Sequence, residues 1–229
     1  MDVVACLIYV YEENAGKQNF SIKGELCKYL LKVRRHQEGD ELGFRNKEDM
    51  KTLHLYKIAA IEPRALHVEK ISSQVLEIKA KQELHVAWCV IDSKSVEKVL
   101  ASLNEIGVAK ISFIYCERSQ KNFKPDFKRY ERILQASNQQ CGRTQMMEFD
   151  IYENIADFIY KFPDTKVFDF TDKILEDGVE LKRVLIGCEG GFSEKEKELL
   201  ITQEVFRLDT PMILRSETAV LAVASKVLL

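Results

Sequence analysis

The spacing of apolar residues changes partway along the chain. From residue 85 onward, short continuous apolar runs alternate with stretches of helical periodicity. Strands are predicted over 85–91, 110–116, 166–170 and 205–208, with a further one opening at Arg183. Helices are predicted over 95–106, 126–140, 155–162, directly after Ser193, and over 219–229. Gly107 suits the left-handed C-cap of the first helix, and Ser193 with Glu196 three residues on forms a capping box. Such β/α alternation implies a mostly parallel sheet with helices on both faces. Before residue 80 the elements are shorter and mainly extended, with strands at 5–11, 40–44, 52–61 and 65–79 and one helix at 25–34. Glu38-Gly39-Asp40 and Glu62-Pro63 punctuate them, and the set fits a small β-barrel. The expected organisation is therefore a barrel domain, 1–80, followed by an α/β domain, 81–229.

The stretch 183–219 carries the candidate chemistry. Arg183-Val-Leu-Ile-Gly-Cys-Glu-Gly-Gly-Phe-Ser193 is a buried strand opening into a glycine-rich turn and a helix. Thr210-Pro-Met-Ile-Leu-Arg-Ser-Glu-Thr-Ala219 repeats that logic after the next strand. Two such loops at the carboxyl edge of a sheet would share a pocket. No Lys follows the glycines as a Walker A loop requires, and Gly187-Cys-Glu-Gly-Gly-Phe is not the dinucleotide fingerprint.

A net charge of −2, with 46% hydrophobic and 31% charged residues, describes an ordinary globular chain without a global nucleic-acid signature. Charge is nevertheless uneven: 110–143 holds eight Lys or Arg against three Asp or Glu, while 144–204 is acidic. A local basic segment suits phosphate contacts, and suits a solvated helix face equally. Six scattered cysteines without a Cys-x-x-Cys pair indicate reduced, packed thiols and a cytoplasmic setting. Four dispersed histidines offer no metal-ligand spacing, so no metal is expected. The apolar start lacks a basic region before it and a cleavage site after it, and no run is long enough for a membrane span.

Ile-Gly-Cys-Glu-Gly-Gly followed by Ile-Leu-Arg-Ser-Glu-Thr-Ala resembles the paired motifs of the RsmE family, SPOUT-superfamily methyltransferases that make N3-methyluridine in 16S rRNA near the decoding centre. The resemblance extends over most of the chain. It includes Tyr29-Leu-Leu-Lys-Val-Arg-Arg-His-Gln-Glu-Gly-Asp40, Asn104-Glu-Ile-Gly-Val108, Glu117-Arg-Ser119 and Gln140-Cys-Gly-Arg143. It implies a PUA-like RNA-binding barrel ahead of a SPOUT parallel sheet, with a C-terminal trefoil knot whose last helix also packs in a homodimer. It further implies S-adenosylmethionine as cofactor, 16S rRNA or the small ribosomal subunit as partner, and Lys32, Arg35, Arg118 and Arg143 as RNA contacts. Cofactor contacts are expected from Ile186, Gly187, Glu189, Gly190, Gly191, Leu208, Leu214, Ser216, Thr218 and Ala219. Departures from the family pattern fall at Leu7, Tyr29, Ser102, Cys188, Thr210 and Met212; Leu7, Ser102 and Met212 stand where the family usually has a basic residue.

Methylating uridine N3 requires removal of a weakly acidic imide proton from an extruded base. Arg215 and Glu217 are the catalytic candidates: the guanidinium to stabilise the developing oxyanion, the carboxylate (or Glu189) as base. A structural role for Glu217, paired with Arg215 or satisfying a helix N-terminus, stands beside this reading. A SPOUT ribose 2′-O-methyltransferase and a non-catalytic RNA-binding assembly factor are the competing functions.

Overall fold

The computed structural model describes residues 8–229. Of the expected first strand at 5–11, residues 5–7, Leu7 among them, lie outside the described residues, and Val10–Tyr11 are extended. The chain divides into two compact units. One takes the chain up to Lys79 together with Asn138–Gln145; the other comprises Ala80–Ser137 and Met146–Leu229.

In the first unit a five-stranded sheet has the order β1-β3-β4-β5-β2. Its strands are β1 (Val10–Tyr11), β2 (Asn19–Lys23), β3 (Glu41–Asn46), β4 (Asp49–Glu62) and β5 (Ala65–Val75). The β1–β3 pairing is parallel and the others are antiparallel, with register shifts within β3–β4 and β4–β5 that bend the long strands. Phe20, Phe44 and Tyr56 meet edge to face with centroids 5.0–5.9 Å apart, over a core that includes Leu42, Ile58 and Leu66. The expected helix at 25–34 is helix α1 (Gly24–Lys28) running into a π-helical turn, Tyr29–Val33, after which Arg35 takes φ 59°.

The second unit is built on six parallel strands in the order β11-β9-β10-β6-β7-β8. These are β6 (His85–Cys89), β7 (Lys110–Ile114), β8 (Glu148–Tyr152), β9 (Lys166–Phe168), β10 (Arg183–Ile186) and β11 (Val205–Phe206). Helices α2 (Ser93–Ile106), α3 (Phe127–Cys141), α4 (Ile155–Lys161), α5 (Glu194–Leu199) and α6 (Ser216–Leu228) connect or follow them. Central β6 and β10 are apolar runs, as strands covered on both faces must be. Asp92 caps α2 by accepting from the Ser95 N–H, and Gly107 ends it at φ 108°.

Two strands are absent from the sequence prediction. β2 and β8 are five-residue segments that alternate polar and apolar residues, too short a run to stand out, and both lie at sheet edges. Helix α6 begins at Ser216 rather than Ala219, and it is not buried on every side. Ala219, Val220, Val223, Ala224 and Val227 face the core, while Leu221, Ala222, Ser225 and Leu228 remain half-exposed. Among the described residues no helix is long and apolar enough to cross a membrane, and no cluster of three or more His, Cys, Asp or Glu could hold a metal ion.

Candidate functional site

A cavity of about 230 Å³ opens at the carboxyl ends of β9, β10 and β11, where an open parallel sheet receives ligands. The glycine loop forms one wall. Its turn closes through the Gly191 N–H donating to the Cys188 carbonyl at 2.9 Å, with Gly191 at φ 64°. A Cβ built on Gly191 meets nothing within 4 Å, so it is the backbone angle that calls for glycine there. At Gly190 the reason is contact: a Cβ would lie 3.2 Å from the Arg118 side chain, which donates to the Gly190 carbonyl at 2.6 Å.

The loop is pinned at both ends. Beyond it, Ser193 and Glu196 form the expected capping box on α5. The buried Glu196 carboxylate also accepts from the Glu117 N–H at 2.8 Å, tying the turn after β7 to the start of α5. At the other end, Ser216 Oγ donates to the Gly187 carbonyl at 2.6 Å and accepts from Trp88 Nε1–H at 2.8 Å. Trp88 is fully buried in β6. One hydroxyl thus fastens the second loop to the first and both to the central strand.

The cavity brings together nine of the ten expected cofactor residues: Ile186, Gly187, Glu189, Gly190, Gly191, Leu208, Leu214, Ser216 and Ala219. Thr218 is exposed and outside the lining. Phe168, Asp169, Phe170, Arg207, Met212 and Ile213 also line it and were missed. For Phe168, Asp169 and Phe170 the signal was the predicted strand 166–170, whose carboxyl end had to open on the same sheet edge, and for Arg207 the predicted strand 205–208; Met212 and Ile213 lie in the second loop already placed at the pocket. Apolar walls beside two carboxylates and a guanidinium match a ligand that has a flat ring and charged ends.

Arg215 and Glu217 do not line the cavity; they flank it on the first turn of α6. Arg215 is exposed. Glu217 Oε2 is buried with no hydrogen-bond partner, so Arg215 does not engage it. A desolvated, unpaired carboxylate oxygen is costly to keep.

Of the expected RNA contacts, Lys32, Arg35 and Arg118 are exposed. Arg143 differs from these three: it is 5% exposed, and its backbone carbonyl accepts from Tyr9 Oη–H at 2.8 Å. The basic segment shrinks further because Lys110 pairs with Asp150 at 2.8 Å and Arg129 with Glu97 at 2.7 Å. Besides Arg118, its exposed cations outside those ion pairs are Lys121, Lys124, Lys128 and Arg132.

A family model for an RNA methyltransferase domain matches residues 79–228, and this defines the class. The ribosomal RNA small subunit methyltransferase E of Helicobacter pylori is 34% identical over 221 residues, covering 95% of this chain and 97% of that protein. The chain belongs to the ribosomal RNA small subunit methyltransferase E family. Its fold is shared with a Legionella pneumophila methyltransferase solved with SAM, at TM-score 0.72 and 22% identity, covering 95% of this chain and 94% of that one. It is shared too with a ribosomal RNA small subunit methyltransferase E from Neisseria gonorrhoeae, bound to S-adenosyl methionine, at TM-score 0.70 and 17% identity, covering 95% of each chain.

Proposed function

We propose that this chain transfers a methyl group from S-adenosylmethionine to N3 of a uridine in 16S rRNA near the decoding centre. The observation that carries the reading is the cavity formed by the glycine loop, the Leu208–Leu214 loop and the start of α6 at Ser216 and Ala219 on a family-matched sheet edge. S-adenosylmethionine supplies an electrophilic methyl on a sulfonium. The chain's task is then to position and desolvate, and alignment alone can lower a barrier by roughly 7–11 kcal/mol. Ile186, Leu208 and Leu214 would pack the adenine; backbone at Gly187–Gly191 would take its polar edge and the ribose. Asp169 and Glu189 suit the cationic groups, and Arg207 the carboxylate.

Glu217 is assigned the base. Its unpartnered Oε2 can accept the imide proton, a role worth about 10²–10⁴-fold where it operates. Arg215, exposed beside it, would hold the negative charge developing on the uridine oxygen. The first unit is assigned RNA docking as a PUA-like domain, with Lys32 and Arg35 as phosphate contacts; Arg118 serves the same end beside the glycine loop. The C-terminal knot and a cytoplasmic homodimer through the half-exposed stripe of α6 complete the reading, and both rest on family membership.

The test is mass mapping of modified nucleosides in 16S rRNA from cells with and without this protein. Loss of one N3-methyluridine is expected. Loss of a ribose 2′-O-methyl group instead, or no change, would overturn the assignment.

A further inference from the structure

Three parallel strands, β10, β6 and β7, deliver three cysteines to the foot of the glycine loop. Cys89 is the last residue of β6 and pairs in register with Ile114. Cys116 and Cys188 each lie two residues beyond the last paired position of their own strand, Ile114 and Ile186. Cys116 Sγ is 3.7 Å from Cys188 Sγ and 2.9 Å from Ser119 Oγ. Cys89 and Cys188 are buried, Cys116 only half so.

We propose that Cys116 and Cys188 form a peroxide-sensitive thiol pair, a modification site that closes to a disulfide beneath the glycine loop and reopens with reducing thiols.

Geometry selects the pair. A disulfide needs about 2.05 Å between sulfurs, so closure from the present separation asks for roughly 1.7 Å. Both residues sit outside the strand ladder, in the turns that follow β7 and β10. Cys89 is held within the ladder and is fully enclosed. Accessibility and reactivity select Cys116 as the sulfur oxidised first, since it alone of the three is not buried. Its Sγ lies within hydrogen-bonding reach of the Cys188 thiol and of the Ser119 hydroxyl, whose Oγ also accepts from the Cys116 N–H at 2.9 Å. Donors converging on one sulfur hold its thiol well below the ordinary range, the Cys188 and Cys89 hydrogen bonds contributing most, which favours the nucleophilic thiolate. The same contact raises Cys188, which stays a thiol.

The chemistry balances with a hydroperoxide as oxidant. Cys116 thiolate attacks the distal peroxide oxygen and the O–O bond breaks; the departing alkoxide or hydroxide takes a proton from solvent, giving Cys116 sulfenic acid and an alcohol or water. Cys188 sulfur then attacks the sulfenic sulfur, the S–S bond forms, and hydroxide departs with the Cys188 proton as water. The two thiols lose two electrons and the peroxide gains them. Because Cys188 lines the cavity and its carbonyl closes the Gly191 turn, closure should distort the cofactor wall. This consequence rests on the proposed cofactor reading; the disulfide itself does not.

The experiment treats the reduced full-length protein with hydrogen peroxide, caps remaining thiols with N-ethylmaleimide and maps tryptic peptides by mass. Cleavage at Lys81, Lys94, Lys110, Arg118, Arg183 and Lys195 places Cys89, Cys116 and Cys188 on separate peptides. A dithiothreitol-reversible link between peptides 111–118 and 184–195 is expected, retained in Cys89→Ser and absent in Cys188→Ser. A link from Cys89 to Cys116, irreversible oxidation of Cys116 alone, or no cross-link would overturn the proposal; the wild-type map decides this even if a variant fails to fold. Calorimetric titration with S-adenosylmethionine should show at least fivefold weaker binding after oxidation. Equal affinity would remove control of the pocket, whereas no binding by the reduced protein would reject the cofactor reading and leave the thiol pair standing.

Discussion

Ser216 shows how much of the site depends on single polar atoms. Its hydroxyl receives the Trp88 indole N–H and donates to the Gly187 carbonyl in a buried setting, so removing it strands both partners. Ser216→Ala should destabilise by about 1–3 kcal/mol, the usual cost of leaving buried groups unpaired. Trp88→Phe removes the donor but also opens a void, so its cost should be of similar size or larger. The informative quantity is their coupling: denaturant unfolding of both single variants and the double variant should give a non-additive term of about 1 kcal/mol. Additive costs would mean that the hydrogen bond contributes nothing measurable. Gly191 presents a separable case, because its added side chain meets only open space. Gly191→Val forces a β-branched residue to positive φ, at roughly 1–2 kcal/mol, and fills space reserved for ligand. Titration calorimetry should report at least tenfold weaker S-adenosylmethionine binding by a variant that circular dichroism finds folded.

His85 sits at the opposite, amino end of the sheet. Its Nε2 is 2.7 Å from Ser112 Oγ, which in turn donates to Asp150. Burial, with Lys110 adding to it, pushes the imidazole down to about 4 from 6.5. The unfolded chain therefore takes up a proton at higher pH than the folded one. His85 favours the fold fully above about pH 6.5 and loses that contribution as pH falls toward 4. Melting temperature should decline from pH 7 to pH 5, and the decline should be shallower in His85→Gln. Burial also lowers His54, which accounts for the slope expected to remain.

At the scale of elements, what could be read from sequence was whatever a local period or cap dictates. The central strands are solid apolar runs, α2 carries both an Asp cap and a terminal glycine, and α5 opens on a capping box. The edge strands β2 and β8 do alternate polar and apolar residues, but over five positions only, too short a run to stand out from the loops around it. The π-helical turn at Tyr29–Val33 also left no mark, because it shares its side-chain chemistry with an ordinary helix. Helix α6 marks the limit of composition as a guide. Its residues are apolar nearly all round, yet only one stripe is covered within a chain. Val223 belongs to the core stripe, so Val223→Glu should unfold the domain by burying an unpaired charge. Leu221 is the residue that addresses association. If α6 pairs two chains, Leu221→Glu should stay folded while light scattering shows the mass falling from dimer to monomer. A wild-type protein monomeric across micromolar concentrations would remove the dimer.

At the scale of the molecule, charge in the sequence overstated the RNA surface, because a count of cations does not reveal which ones the fold has already used. Lys110 and Arg129 are engaged by carboxylates, and Arg143 is buried. Arg35 differs from Arg143 in the property that matters: it is exposed, on a backbone held at positive φ just past the π-helical turn. A side chain contacting phosphate releases about one counterion on binding, so Arg35→Ala should flatten the salt dependence of rRNA affinity by about one unit. Arg143→Ala should leave that slope alone and instead lower the melting temperature, as loss of an enclosed side chain does. Filter binding at several salt concentrations, alongside thermal melts, separates the two. An unchanged slope for Arg35→Ala would move the RNA off the first unit and toward the exposed cations Lys121, Lys124 and Lys128, whose replacement by Ala would then have to flatten the slope instead.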